Sequence, residues 1–199
     1  MITKKIAKLV KDHSQLRLYD GEGEQWLGTD GALYSMAGAP ELNDSTAGFL
    51  LDLTEKDLEK IDVQHKHYVT IDLSDITEYD KAVVITKTRL GQGGQDLMPV
   101  ITSKGMLLFD PDYLLPLKDI RDDLEWYERR TPSGELYLIA AAGWVPRAAI
   151  MPADVKRYKD LPDQLEAIAA GLRTSLADAE GTADSAQYRI DPDTGEVLE

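Results

Sequence analysis

Four lysines open the chain at helical spacing. Lys4, Lys5, Lys8 and Lys11 fall on one side of a helix predicted over residues 3–13, and Ile2, Ile6, Leu9 and Val10 fall on the other. Residues 1–19 hold five basic side chains, Arg17 among them, against one acidic side chain, Asp12. Ammonium groups aligned on a helix suit contact with a phosphate backbone, which holds nucleic acid without reading its sequence. The same four lysines also fit a plain solvated face. They are the candidate DNA-binding residues of this chain.

Other groupings are less specific. His65 and His67 are two apart on a β-prone stretch, so both imidazoles would project to one side. A metal there would need carboxylates from elsewhere, because His13 is the only further histidine. Asp72, Asp75, Glu78 and Asp80 form one carboxylate cluster, and Asp119, Asp122, Asp123 and Glu125 another. Metal-dependent phosphoryl chemistry needs such groups to converge on an ion, and no spacing here enforces that. Gly91-Gln92-Gly93-Gly94-Gln95 lacks the Lys-Ser/Thr that completes a phosphate loop. No G-x-S-x-G elbow is present. The absence of cysteine removes thiol catalysis, disulfides and Cys-based zinc sites. The chain is therefore read as non-enzymatic, with no cofactor, metal or catalytic residue expected.

These side chains need a scaffold, and 199 residues at 43% hydrophobic content are enough to bury a core. The formal net charge of −14 argues against a uniformly basic, nucleic-acid-coating protein but leaves room for one basic face. The N-terminus lacks the apolar stretch of a signal peptide, and no run approaches the ~18 apolar residues of a membrane span. A cytoplasmic location with no membrane partner is expected.

Strands are predicted near 16–19, 25–28 and 32–36, with the turn Thr29-Asp30-Gly31 between the last two. Asp-Gly between β-prone runs is a strong hairpin signal, because Gly31 accepts positive φ and Asp30 tolerates it. Residues 41–63 read as helical, with Thr54 and Asp57 as a capping box. Residues 67–73, 81–90, 98–102 and 105–109 read as strands. Asp110-Pro111 starts a helix over 110–121 that Pro116 should kink or split. Strands follow near 124–130, 135–142 and 144–151, and Pro146 calls for an edge or a bulge. A helix followed by three strands thus occurs twice, without residue-by-residue similarity. The expected fold class is α+β, two helix-plus-antiparallel-strand units over 1–152. A C-terminal helical segment over 153–178 follows, then an acidic flexible tail over 179–199, in which 188–198 could form a small hairpin.

Leu27-Gly28-Thr29-Asp30-Gly31-Ala32-Leu33 resembles the Ala-Thr-Asp-Gly-x-x-Leu hairpin of bacterial DNA sliding clamps, the β subunit of DNA polymerase III. Ala149-Ile150-Met151-Pro152 resembles the closing strand of a clamp domain. The general organisation is also similar to small phage and mobile-element proteins of Gram-positive bacteria. The resemblance implies that residues 3–152 form one clamp-like domain, with helix 3–13 in the place of a pore-lining helix. A clamp subunit has three such domains and this chain has room for one, so a homo-oligomer is open. The acidic second helix and the insert at 41–73 depart from the family plan. The implied function is an accessory protein of DNA replication or repair that meets DNA through backbone contacts or scaffolds replication proteins. The alternative is an acidic protein-interaction module or DNA mimic that binds a basic partner.

Overall fold

The computed structural model describes residues 2–21, 24–66, 71–92, 95–153, 161, 165–167, 169–170, 189–190 and 197–198. The chain divides into two compact units, Met1–Val155 and Lys156–Glu199. The first is an α+β unit.

Helix α1 (Ile2–His13) buries Ile6, Leu9 and Val10 and ends where Ser14 adopts a left-handed φ of 53°. Strands β1 (Gln15–Asp20), β2 (Gln25–Gly28) and β3 (Ala32–Ser35) follow as an antiparallel meander. Late in the unit the same plan recurs: β9 (Glu125–Arg130), β10 (Leu136–Ala142) and β11 (Val145–Ile150) follow the helical segment η1 (Pro111–Asp123). The two meanders join through β3 and β11, where Leu33 lies opposite Ala149. Edge strands β4 (Asp62–Lys66), parallel to β1, and β5 (Lys81–Ala82) complete an eight-stranded sheet in the order β4-β1-β2-β3-β11-β10-β9-β5.

Alternation along the strands sorts two cores. Leu16, Leu18, Leu27, Tyr34, Trp126, Leu138, Ala140, Ala148 and Ile150 point to the face that carries α1 and η1. Tyr137, Ile139, Ala141 and Ala149 point to the opposite face, where Ile76 covers them. A three-stranded sheet of β6 (Leu90–Gln92), β7 (Gln95–Thr102) and β8 (Gly105–Phe109) adds Met98, Val100 and Phe109 to the helix-side core.

Several expectations are corrected. The helix expected over 41–63 is two short ones, α2 (Asp44–Leu50) and α3 (Glu55–Leu58), followed by β4. Asp52 takes a left-handed φ of 52° between them, which no continuous helix accommodates. Thr54 and Asp57 do form a capping box, and Asn43 with Thr46 forms a second. The strand expected over 67–73 begins outside the described residues, and 71–73 is irregular. Of 81–90 only the two ends are extended. Asp110 caps the next helix and Pro111 opens it, but the segment winds as 3-10 turns around the internal Pro116. Proline lacks the N–H of the α ladder and crowds the preceding turn. Pro146 lies where β11 has run past β3, beside a register shift at Ala140/Ala141 in β10.

Of the helical segment expected over 153–178, Ala153 is not helical, 161, 165–167 and 169–170 are helical, and the other residues lie outside the described ones. In the stretch expected as a tail, β12 (Arg189–Ile190) pairs antiparallel with β13 (Val197–Leu198), and the rest lies outside. No helix among the described residues is long and apolar enough to cross a membrane.

Candidate functional site

The four candidate lysines do share one side of α1, and they do not form one free basic surface. Lys4 and Lys8 are exposed. Lys5 Nζ lies 3.3 Å from Asp119 Oδ1 of η1, and Lys11 Nζ lies 2.9 Å from Asp57 Oδ2 of α3. The Lys11 ammonium, together with the N–H and hydroxyl of Thr54, holds the Asp57 carboxyl down to about 2. Beside α1, η1 offers the exposed carboxylates Asp112, Asp119, Asp122 and Asp123 against Lys118 and Arg121. The helix layer as a whole is close to neutral.

Arg17 does not join the basic face of α1. It projects from β1 to the sheet face opposite the helices and is buried. Its Nε and Nη2 donate to both oxygens of Asp30 at 2.6 and 2.9 Å. Nη1 and Nη2 also reach the carbonyl and carboxylate of Asp62 at 2.8 and 2.9 Å. This bidentate fork ties the Thr-Asp-Gly hairpin to the start of the edge strand β4.

The histidine and carboxylate groupings are likewise bound into the fold. His65 Nε2 sits 3.0 Å from Asp20 Oδ2, and its Nδ1 is 3.5 Å from Asp44 Oδ1. His67 lies outside the described residues. In the cluster Asp72–Asp80, the Asp80 carboxylate takes the Arg129 fork at 2.6 and 2.8 Å. The same guanidinium donates to the carbonyls of Asp72, Ser74 and Asp75. Among the described residues, no group of three or more His, Asp or Glu side chains could hold a metal ion.

A concave feature lies on the face away from the helices, at the seam of the two meanders. It is a cavity of about 500 Å³. Leu33 and Ala149, opposite each other across the β3–β11 seam, form its floor. Tyr19, Ile71, Met151 and Pro132 supply apolar walls, and Asp30 and Glu135 stand on its border. The Thr29-Asp30-Gly31 hairpin is one end wall, pinned because the Met151 N–H donates to the Gly31 carbonyl at 2.9 Å. The Thr29 hydroxyl accepts from the N–H groups of Gly31 and Ala32, both at 3.3 Å.

The hairpin therefore forms where the Thr-Asp-Gly signal placed it, for a different reason than expected. Neither Asp30 nor Gly31 has positive φ. Gly31 is required by space, because a Cβ there would overlap the phenol of Tyr113, which comes from η1. The pocket itself was not visible in the sequence. Its floor needs two strands from opposite ends of the unit to meet, and only the hairpin and the Ala149–Pro152 stretch stood out beforehand. Comparison with protein-family models, with characterised proteins and with solved structures finds no match for this chain.

Proposed function

We propose that this chain is a non-enzymatic accessory protein of DNA replication or repair, built on a clamp-like domain, that works by holding a protein partner in the outer-face pocket. The observation that carries this reading is the pocket's position. The two helix-plus-meander units abut at β3 and β11, both helices lie on one face, and the pocket opens on the other at that seam. An apolar floor with a few polar groups on its border suits an apolar side chain offered by an extended segment of another protein.

The test is an array of peptides tiled across bacterial replication and repair proteins, probed with the intact chain. Ser133 is exposed and borders the pocket, so Ser133→Trp fills the space without entering the core. A set of wild-type binders that is lost in Ser133→Trp, at unchanged melting temperature, is the expected result. Binders indifferent to that change, or none, would overturn the pocket reading.

A second reading concerns DNA and is favoured by one observation: Lys4 and Lys8 are exposed on α1 and make no ion pair among the described residues. Two phosphate contacts give a log–log salt slope of about −2 for duplex DNA. Retention in a low-salt gel shift should follow that slope and disappear in Lys4→Glu/Lys8→Glu. Retention that survives the double substitution rules out backbone contact through α1.

A further inference from the structure

The two carboxylates on the pocket border are not equivalent, and the difference defines the ligand. Asp30 is neutralised: both of its oxygens accept from the buried Arg17 guanidinium. Glu135 is exposed, and among the described residues its carboxylate has neither an ion pair nor a hydrogen bond. Its own N–H is fixed by the Thr131 hydroxyl at 3.1 Å, which holds the turn beneath it. Two basic side chains near this turn bond elsewhere. Lys104 bonds the Gly134 carbonyl and Arg130 bonds the Ser103 hydroxyl. Ser103 in turn donates its N–H to Glu128, on the helix-bearing side of the sheet.

Resting on the pocket reading above, we infer that the partner segment pairs a bulky apolar side chain with an adjacent lysine or arginine, and that Glu135 is the residue that selects the cation. The apolar side chain occupies the floor at Leu33 and Ala149, and the cation meets the free carboxylate at the border. Asp30 cannot serve a ligand cation as Glu135 does, because its charge is already answered by Arg17. The chain's net charge of −14 acts in the same direction, raising the encounter rate with basic segments at low salt. An acidic ligand would meet like charge at the border and gain nothing from Arg17, which is sealed behind Asp30 and Asp62.

A random-peptide display library panned on the intact immobilised chain tests this, with Glu135→Gln, Glu135→Lys and Ser133→Trp panned in parallel. Wild type should enrich peptides with a large apolar residue next to Lys or Arg. Glu135→Gln should weaken those peptides by up to ~5-fold, as expected for an exposed ion pair. Glu135→Lys should shift the enriched charge from basic to acidic around an unchanged apolar anchor. Enrichment of apolar anchors with no charge bias, or a basic bias that survives Glu135→Lys, overturns the inference and leaves the pocket reading standing. Enrichment that persists in Ser133→Trp, or none at all, overturns both.

Discussion

Arg129→Ala is expected to destabilise the Met1–Val155 unit by about 3–5 kcal/mol, the scale for removing one partner of a buried ion pair. Arg129 is buried and Asp80 largely covered, with side-chain exposures of 7% and 10%. Their fork is one of several bonds that fasten the irregular segment 71–80 over the outer core. Arg129 also donates to three carbonyls of that segment. The Tyr137 hydroxyl both accepts from the N–H of Asp72 and donates to its carbonyl, each at 2.9 Å. The Ile76 N–H reaches the Trp144 carbonyl at 2.7 Å, and the Ile76 side chain caps the outer core. Without the guanidinium, the Asp80 carboxylate keeps only the N–H and hydroxyl of Thr77, and the carbonyls lose their donor. Arg129→Lys should recover little, since an ammonium cannot span the fork and the carbonyls together. Asp80→Asn leaves the carbonyl bonds in place and should cost less, about 1–3 kcal/mol. Urea midpoints read all three variants, and losses under ~0.5 kcal/mol for Arg129→Ala would show that the lock is passive.

The same pair gives the unit an acid-labile point. The Arg129 hydrogen bonds, opposed by burial and aided by the Thr77 N–H, hold the Asp80 carboxyl below its usual range. A depressed folded-state value stabilises the fold above the unfolded value near ~4 and is lost as pH falls through the folded one. Wild type should therefore lose its advantage over Asp80→Asn as pH falls below about 4, the two urea midpoints converging. A gap that stays constant as pH falls would mean that the fork does not perturb Asp80.

The parts of this fold that were legible in the sequence are those set by local pattern. Leu16-Arg17-Leu18-Tyr19 and Leu124–Arg130 alternate strongly enough to fix each strand's faces, and the β-prone runs of β10 and β11 mark strands without fixing theirs. Thr54 with Asp57 and Asp110 with Pro111 mark helix starts whose geometry involves only neighbours. What was not legible depends on distant partners. Nothing near Lys11 points to Asp57, and nothing near Lys5 points to Asp119. Arg17 looks like one more cation of a basic N-terminus until β1 turns it away from α1 toward Asp30 and Asp62. The pocket follows the same rule, since Leu33 and Ala149 become neighbours only when the two meanders join. The break at Asp52 went unread for another reason: apolar spacing across 41–63 fits one helix, and a single left-handed residue overrides it.

Gly31→Ala should destabilise the same unit by about 1–3 kcal/mol through overpacking, with no contribution from backbone conformation. Two accounts of this glycine make opposite predictions in a second background. If the turn needed positive φ, alanine would be costly whatever stood nearby. The φ of Gly31 is ordinary, and the added Cβ would instead strike the hydroxyl and ring of Tyr113. That ring cannot readily yield. It is buried and packs against the His13 ring at 5.4 Å between centroids. Its backbone carbonyl accepts from the Tyr34 hydroxyl at 2.8 Å. Burial, with the Asp110 carboxylate adding to it and a hydrogen bond from Thr29 opposing, pushes the Tyr113 phenol up to about 12, so the ring is neutral throughout the working range. Tyr113→Leu removes the overlapping atoms and will itself cost stability by leaving space behind the hairpin. In that background Gly31→Ala should cost under ~0.5 kcal/mol, or recover stability by filling the space, giving a coupling of ~1–2 kcal/mol in the double-mutant cycle. Additive losses would return the explanation to the turn. The cycle also bears on binding, because Tyr113 is the strut behind one end wall of the pocket. Gly31→Ala alone should weaken the peptides displaced by Ser133→Trp, and the double variant should regain part of that affinity.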